Sequence, residues 1–325
     1  MIKNLILSGC STKIFAFLGS LQCLIVNKRI KFKNLDNILC TSGSSIIILL
    51  LLIGYNLKDV TKLCCNIDIE LLFYKNKYNN NIINNIFENK SILNTKQIRN
   101  TIEIIIYNKI KRKILTFKQL FDVSGITFII NAFCYDTNKI EYFSHKTHPD
   151  VNIIEIILMT IAIPILFPPV IYDGKTYCDA GIKYNIDFNY FFENKTPYEI
   201  AYLKKITLGI YIQTIAKPYI TITDTNNTNN TNNTNNNTNN TNNTNNTNNT
   251  NNTNNTNNIG QLKDYISNIL KVLTNHDEYN NLIKTNYNVI DIVLNLNFYN
   301  LQINDDIKHK LIIYGYKKTY DYIIN

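Results

Sequence analysis

Short apolar runs alternate with longer stretches in which apolar residues recur every three or four positions. Apolar runs of strand length predict β-strands, and the three-to-four-residue spacing predicts helices. The predicted strands cover residues 3–8, 34–39, 126–134, 140–144, 206–214 and 289–296. The predicted helices cover about 13–26, 44–53, 56–76, 95–113, 151–161, 262–273 and 305–324, and a further helix begins near 116. An almost wholly apolar run such as 126–134 is typical of a sheet covered on both faces, so the pattern predicts an α/β fold with a mostly parallel sheet.

One stretch combines a strand, a cluster of small residues and a long apolar helix. In residues 35–55, LDNILCTSGSSIIILLLLIGY, Ser42 lies among small neighbours. This is the order of a nucleophile elbow, in which a serine occupies a sharp turn whose strained backbone requires small residues on either side. The usual G-x-S-x-G is C-x-S-x-S here, and Thr41 and Ser42 would equally suit the cap of a buried helix. The local sequence leaves both interpretations open.

Two further loops of small residues follow predicted strands. Residues 9–13, GCSTK, would place several backbone amides at the start of a helix, an arrangement that suits an anion but also describes an ordinary strand–helix turn. Neither glycine pattern of nucleotide-binding loops is present. Residues 170–181, VIYDGKTYCDAG, predict a hairpin whose second strand ends at Asp179. That acid could be approached by another side chain, or it could form an Asx turn.

Length, composition and charge narrow the class of protein. With 325 residues, of which 45% are hydrophobic, the chain can bury one large core. Seven cysteines without regular spacing predict reduced thiols, and without a Cys/His cluster we expect no metal site. The net charge of +9 would suit nucleic acid or anionic lipid. However, Asn, Ile, Lys and Tyr all have A/T-rich codons, and no basic segment is interleaved with aromatic residues, so we expect no nucleic-acid partner.

The start of the chain and its longest apolar run bear on the protein's cellular location. Residues 1–9 resemble a strand rather than a signal peptide, and 46–53 is too short to span a bilayer. We therefore expect a cytoplasmic protein, in a host cytoplasm if the A/T-rich genome is viral, with peripheral membrane contact rather than secretion.

Residues 226–258 are an almost pure Asn-Asn-Thr repeat, which cannot bury a core and is predicted to be disordered.

Three motifs, taken in order, resemble the patatin-like phospholipase family. They are LSGCSTKIFAFLGSL near the N-terminus, CTSGSS about thirty residues later, and AIPILFPPVIYDGKTYCDAGIKYN in mid-chain. In that family the first is a glycine-rich oxyanion loop followed by Lys or Arg, the second is the serine elbow and the third is D-G-[GA]. TFKQLFD and the C-terminal GYKKTYDYI fit as well. The resemblance implies a patatin-like three-layer fold, with its core in residues 1–214, the repeat insertion in 215–259 and the rest of the same domain in 260–325.

The resemblance also implies a site and a reaction. Ser42 would be the nucleophile and Asp179 the general base of a dyad that needs no histidine, metal or cofactor. The backbone amides around Gly9, Cys10 and Ser11, helped by Lys13, would stabilise the oxyanion. The implied activity is hydrolysis of an acyl ester, in a phospholipid or another lipid, through an acyl-serine intermediate.

Several glycines of the family pattern are replaced in this chain. The substitutes are Cys10, Ser11, Ile14, Cys40, Ser44 and Ala180. A residue other than glycine in such a strained conformation costs about 1–3 kcal/mol, and we expect Ile14 to push the loop outward. Because Ser42 and Asp179 are kept, we expect an active but slow hydrolase. The alternative is an inactive protein of the same fold that binds lipid or membrane.

The four histidines offer a different catalytic arrangement. Ser42, Asp179 and either His276 or His309 follow the Ser…Asp…His order of α/β-hydrolases. Only two predicted strands precede Ser42, however, whereas several precede the elbow in that fold. We expect all four histidines, including His145 and His148, to be surface residues.

Overall fold

An eight-stranded mixed sheet forms the centre of the part of the chain that the computed structural model describes, residues 1–68, 86, 89–214, 283–294 and 303–325. The strands are β1 (Asn4–Leu7), β2 (Asn37–Thr41), β3 (Thr127–Cys134), β4 (Lys139–Phe143), β5 (Val170–Tyr172), β6 (Lys175–Cys178), β7 (Thr207–Thr214) and β8 (Val289–Leu294). Their order is β5-β6-β3-β2-β1-β7-β8, with β4 also paired to β3.

Five neighbouring strands of this sheet, β3-β2-β1-β7-β8, run parallel, and β4, β5 and β6 add an antiparallel edge. The register pairs Leu7 with Cys40 and Thr41 with Asn131. The carboxyl ends of β1, β2 and β3 therefore lie side by side. This arrangement confirms the predicted α/β fold.

Nine helices that the structure describes surround the sheet or pack at its ends. They are α1 (Ile14–Val26), α2 (Ser44–Leu52), α3 (Leu57–Asn66), α4 (Lys96–Ile110), α5 (Phe117–Ser124), α6 (Ile153–Thr160), α7 (Asn189–Phe192), α8 (Pro197–Ile206) and α9 (Asp305–Ile324). Two of them, α5 and α8, begin with complete capping boxes formed by Thr116 with Gln119 and by Thr196 with Glu199. These reciprocal bonds satisfy amides that a helix start leaves without partners.

Successive residues of the parallel strands pack against opposite faces of the sheet. Leu5 and Leu7 of β1 belong to the large core beneath the long helices, whereas Ile6 belongs to a second core that contains Phe188 and Phe192. A strand side chain alternates between faces, so both faces must be covered when every residue is apolar. The result is a three-layer arrangement of helices, sheet and shorter helices.

The first and last helices cross at two glycines. A methyl group on Gly19 would lie 1.9 Å from the Ile312 carbonyl oxygen, and one on Gly315 would lie 2.1 Å from the Ala16 carbonyl oxygen. The Ser20 and Thr319 hydroxyls share a 2.6 Å hydrogen bond at this crossing. These contacts fix the C-terminal helix against α1, which leads out of the 9–13 loop.

The observed elements differ from the predicted ones mainly at their ends. Strand β2 begins at Asn37 rather than 34, because Phe32–Asn34 forms a 3-10 turn. The helix predicted over 56–76 covers Leu57–Asn66, and the short helices α7 and α8 were not predicted. The predictions for the repeat at 226–258 and the helix at 262–273 lie outside the described residues.

None of the helices in the described ranges combines the length and the apolar character needed to cross a bilayer.

Candidate active site

Ser42 occupies a sharp turn between β2 and α2. Its φ of 58° lies in the left-handed region that side chains rarely adopt. Its backbone N–H donates a 2.8 Å hydrogen bond to Thr160 Oγ1 at the end of α6. The N-cap of α2 is Gly43, which makes no side-chain capping bond, so the alternative in which Thr41 or Ser42 caps the helix is wrong.

Asp179 follows β6 at the neighbouring edge of the sheet. Its Oδ1 accepts a 2.7 Å hydrogen bond from the Gly181 N–H, and its own N–H donates to the Ala162 carbonyl oxygen at 3.0 Å. The Ser42 side chain lies close enough to this carboxyl to lower its pKa. Asp179 therefore forms the Asx turn and also lies beside Ser42. The two interpretations that the sequence left open for Asp179, an Asx turn and approach by another side chain, are compatible.

Burial controls the charge of the Asp179 carboxyl. The side chains of Ser42 and Asp179 are both nearly inaccessible to solvent. Loss of solvation raises the pKa of Asp179 from 3.8 to about 7, although the nearby Ser42 side chain and the hydrogen bond from the Gly181 N–H oppose the shift. Such a carboxyl can both accept and release a proton near neutral pH.

The loop after β1 lies directly on the serine turn, and Gly9 is its point of closest approach. A methyl group on Gly9 would lie 3.3 Å from Ser42 Cβ and 2.6 Å from Asn185 Oδ1. The Gly9 N–H donates to the Asn185 carbonyl oxygen at 2.8 Å. We therefore correct one expectation: the Gly9 amide already has an acceptor, and Gly9 provides space rather than an oxyanion donor.

The next two residues of this loop face the serine turn from the other side. Ser11 has a φ of 49°, the conformation for which glycine would be preferred. A methyl group on Gly43 would lie 3.4 Å from the Ser11 carbonyl oxygen and 3.6 Å from Cys10 Sγ. Within the described parts of the chain, the Cys10 and Ser11 amides have no hydrogen-bond acceptor. These two amides are the loop donors that remain next to Ser42.

Lys13 and Ile14 occupy different positions at the start of α1. The Lys13 side chain is buried, does not line the cavity beside Ser42, and has a pKa lowered to about 8 by burial. Ile14 does line that cavity, and its Cγ2 would lie 3.5 Å from a methyl group on Gly43. The β-branched residue is thus packed between the serine turn and the cavity.

An apolar cavity of about 130 Å³ opens beside Ser42. Its lining begins with Ser11, Thr12 and Ser42 and continues along α2 past Ile46 to Leu50. The opposite walls come from α3, α4 and the segment 161–167, and they consist mainly of isoleucine, leucine and phenylalanine. The arrangement places a polar group that can react at one end of a space suited to hydrocarbon.

Two residues that hold the site were not predicted from the sequence. Thr160 accepts a hydrogen bond from the Ser42 amide. It is a polar residue at the end of the almost wholly apolar segment IIEIILMT, and this contrast is the sequence feature that could have identified it. Asn185 joins the Gly9 amide through its carbonyl, and its Nδ2 donates to the Ile212 carbonyl oxygen at 3.1 Å. Nothing in the local sequence around Asn185 indicates this contact.

The three histidines in the described part of the chain make their contacts with residues other than Ser42 and Asp179. His145 is half-buried and stacks on Phe121 at a ring distance of 3.8 Å, and His148, also half-buried, packs against Phe143. His309 is exposed on α9, and His276 lies outside the described residues. No three His, Cys, Asp or Glu side chains within the described ranges are grouped as a metal-binding cluster.

The fold, the serine elbow and the aspartate loop together define a patatin-like protein. The sequence profile of the patatin-like phospholipase family matches residues 5–192, more than half of the chain. The chain therefore belongs to the patatin-like phospholipase family.

Two viral proteins and two bacterial structures are similar to the chain. The sequence is 30% identical over 190 residues to "Uncharacterized protein R571" of Acanthamoeba polyphaga mimivirus, covering 58% of this chain and 61% of that one. It is 28% identical over 200 residues to "Probable lipid hydrolase 463L" of Invertebrate iridescent virus 6, covering 59% and 65%. The similarity thus spans less than two thirds of either viral protein.

The structural similarities concern the fold alone. VipD from Legionella pneumophila superposes with a TM-score of 0.56 at 17% identity, over 99% of this chain and 67% of VipD. ExoU, in the ExoU–SpcU complex of Pseudomonas aeruginosa, gives a TM-score of 0.51 at 12% identity, over 99% and 51%. Both confirm the three-layer patatin fold predicted from the sequence.

Proposed function

We propose that this protein is a lipid acyl hydrolase that cleaves carboxylic esters with a Ser42–Asp179 dyad. The observation that carries the proposal is that the Ser42 side chain lies beside the buried Asp179 carboxyl and lowers its pKa, next to an apolar cavity. Family membership and the name of the iridescent virus relative support a lipid ester as substrate. Peripheral contact with a membrane belongs to the proposal, because membranes are the source of such esters.

The reaction would begin with Ser42 Oγ bonding to the ester carbonyl carbon while Asp179 takes the hydroxyl proton. The carbonyl electron pair moves to its oxygen, where the Cys10 and Ser11 amides donate hydrogen bonds, each worth on the order of 3 kcal/mol. The ester C–O bond then breaks, and the leaving alcohol takes the proton from Asp179. Water then attacks the acyl-serine carbonyl carbon and gives its proton to Asp179. As the bond from this carbon to Ser42 Oγ breaks, Oγ takes that proton back and the acid is released.

The surroundings of the dyad suit this chemistry. The turn at Ser42 is held by Thr160, so the hydroxyl is placed before substrate arrives. Burial keeps water away from the carboxylate and brings its pKa to about 7, where it is a stronger base than an exposed aspartate. The replaced glycines do not remove the proposed donors, because these are backbone amides.

An activated fluorophosphonate probe tests the proposal. We expect wild-type protein to be labelled, Ser42→Ala to lose the label and Asp179→Asn to be labelled much more slowly. Ser44→Ala, two residues away, should keep the label because the Ser44 hydroxyl donates to the Thr41 carbonyl oxygen. Hydrolysis of p-nitrophenyl octanoate should fall at least ~1,000-fold in both dyad variants. Folded protein with neither label nor turnover would support the non-catalytic, lipid-binding alternative.

A further inference from the structure

Helix α2 runs along the apolar cavity, and the cavity therefore extends from Ser42 in the direction of the helix axis. Gly43, Ile46 and Leu50 line the cavity and are spaced three and four residues apart, so they form one face of the helix. The helix begins immediately after Ser42. At 1.5 Å per residue, Leu50 lies about 10 Å further along the axis than Gly43.

Contacts outside the cavity identify its two ends independently. At the serine end, Thr160 and Ala162 bond the backbones of Ser42 and Asp179, and the adjacent Ile161 and Ile163 line the cavity. At the other end, the Ile105 carbonyl oxygen of α4 accepts a 3.1 Å hydrogen bond from Tyr55, which follows the C-terminus of α2. Ile105 therefore lies opposite the second half of α2, on the same side as Leu50.

The size of the cavity limits what can occupy it. An apolar cavity of roughly 150 Å³ in another protein holds one benzene molecule, so about 130 Å³ has room for part of one acyl chain but not for two. The lining offers few polar groups beyond those next to Ser42. A chain would enter with its carbonyl at Ser42 and its methyl end toward Leu50 and Ile105.

From this geometry we infer that the enzyme takes one medium-length acyl chain into the cavity and that Leu50, with Ile105, forms the wall that limits chain length. The inference rests on the proposed hydrolase function and adds its acyl specificity. Butyrate esters would leave the far end of the cavity empty, octanoate esters would fill it and laurate esters would meet the wall. Leu50 would determine specificity without taking part in the reaction.

The test compares p-nitrophenyl butyrate, octanoate and laurate in four proteins. Wild type should prefer octanoate. Leu50→Ala should raise the laurate-to-octanoate ratio of kcat/KM at least tenfold, because one methylene group in an apolar pocket changes kcat/KM by about tenfold or more. Ile105→Ala should shift the ratio in the same direction. Leu49→Ala is the matched control, since Leu49 is equally buried on α2 but does not line the cavity, and its ratio should stay within twofold of wild type.

The outcomes separate this inference from the proposed function. Turnover of all esters with an unchanged ratio in Leu50→Ala and Ile105→Ala would overturn the inference and leave the hydrolase proposal intact. If Leu50→Ala does not fold, as judged by circular dichroism, the half-buried Ile105 decides the question. If wild type hydrolyses no ester, the proposed function fails, and calorimetric binding of octanoate and dodecanoate replaces turnover. An unaltered binding preference in Ile105→Ala would then contradict the inference.

Discussion

The turn that carries Ser42 and the loop that carries Asp179 both follow a buried strand, but they hold their side chains by different means. Ser42 has a left-handed backbone with a φ of 58°, held by the bond from its amide to Thr160. Asp179 has an ordinary φ of −57° and is held through its side chain by the Gly181 amide. The cost at the serine is therefore backbone strain, whereas the cost at the aspartate is burial of charge.

This difference explains how the site tolerates the loss of the family's glycines. Of the six residues that replace family glycines, only Ser11 has a positive φ, at a cost of about 1–3 kcal/mol. The other five do not have a positive φ, so their backbone does not require glycine. Gly9 is different, because its lack of a side chain provides space between Ser42 and Asn185. Glycine is thus retained at Gly9, where a side chain would collide, and five of the six replacements lie where the backbone does not require it. Three predictions test this distinction.

The largest effect should come from filling the space at Gly9. Gly9→Ala places a methyl group 2.6 Å from Asn185 Oδ1 and 3.3 Å from Ser42 Cβ, so the loop must move away from the serine. A displacement on the order of 1 Å at reacting groups costs about 100-fold in rate, and we expect that loss in kcat/KM. Steady-state hydrolysis of p-nitrophenyl octanoate measures it.

A double-variant cycle identifies the cause of that loss. Asn185→Ala removes the nearer obstacle but keeps the backbone carbonyl that accepts from the Gly9 amide. The double variant Gly9→Ala/Asn185→Ala should therefore have a kcat/KM about tenfold higher than the two single effects together predict. Strict additivity would show that the two side chains do not compete for the same space.

A smaller effect, and one that belongs to the aspartate, is the dependence on pH. Because Asp179 must be ionised to accept the Ser42 proton and its pKa is raised to about 7, kcat/KM should fall about tenfold per unit below pH 7 and level off above about pH 8. Stability should change in the opposite direction. The folded state holds this proton more tightly than the unfolded chain, whose aspartate pKa is about 3.9, so this group's contribution decreases as pH rises from about 4 to 7.

The two trends can be measured on the same samples. Initial rates between pH 3 and 9 give the activity profile, and urea unfolding at each pH gives the free energy of unfolding. Asp179→Asn should lose the decrease in stability between pH 4 and 7, since an amide does not titrate in that range. A rate profile in which half-maximal activity falls near pH 4 would show that the carboxyl behaves as an exposed one.

The sequence was informative about the site where a signal was local. Ser42 and Asp179 could be placed at strand ends because clusters of small residues follow apolar runs, and the family resemblance indicated that they meet. The hydrogen bond from the Gly9 amide to the Asn185 carbonyl oxygen joins residues far apart in the chain, and no neighbouring residue in the sequence indicates it. The burial of Lys13 was equally hidden, because a lysine at a helix start is usually solvated.

The fold shows the same division between local and long-range information. Strand β3 and helix α9 were predicted closely because their patterns are continuous over many residues. Strand β2 was placed three residues too early at its start, since the 3-10 turn at Phe32–Asn34 has no distinctive pattern. The order of strands in the sheet depends on pairings such as that of β1 with β7, which local patterns do not encode.

The smallest effect should come from the anchor of the serine turn. Thr160→Val keeps the shape of the side chain but removes the acceptor of the Ser42 amide, which is then buried without a partner at a cost of about 1–3 kcal/mol in the free energy of unfolding. We expect a loss of only a few-fold in kcat/KM, because Gly43 and the 9–13 loop still confine the turn. Thr160→Ser retains the hydroxyl and should restore both values. If Thr160→Val keeps wild-type activity and stability while Thr160→Ser loses both, the methyl packing of Thr160 holds the turn, and the strain at Ser42 does not depend on this hydrogen bond.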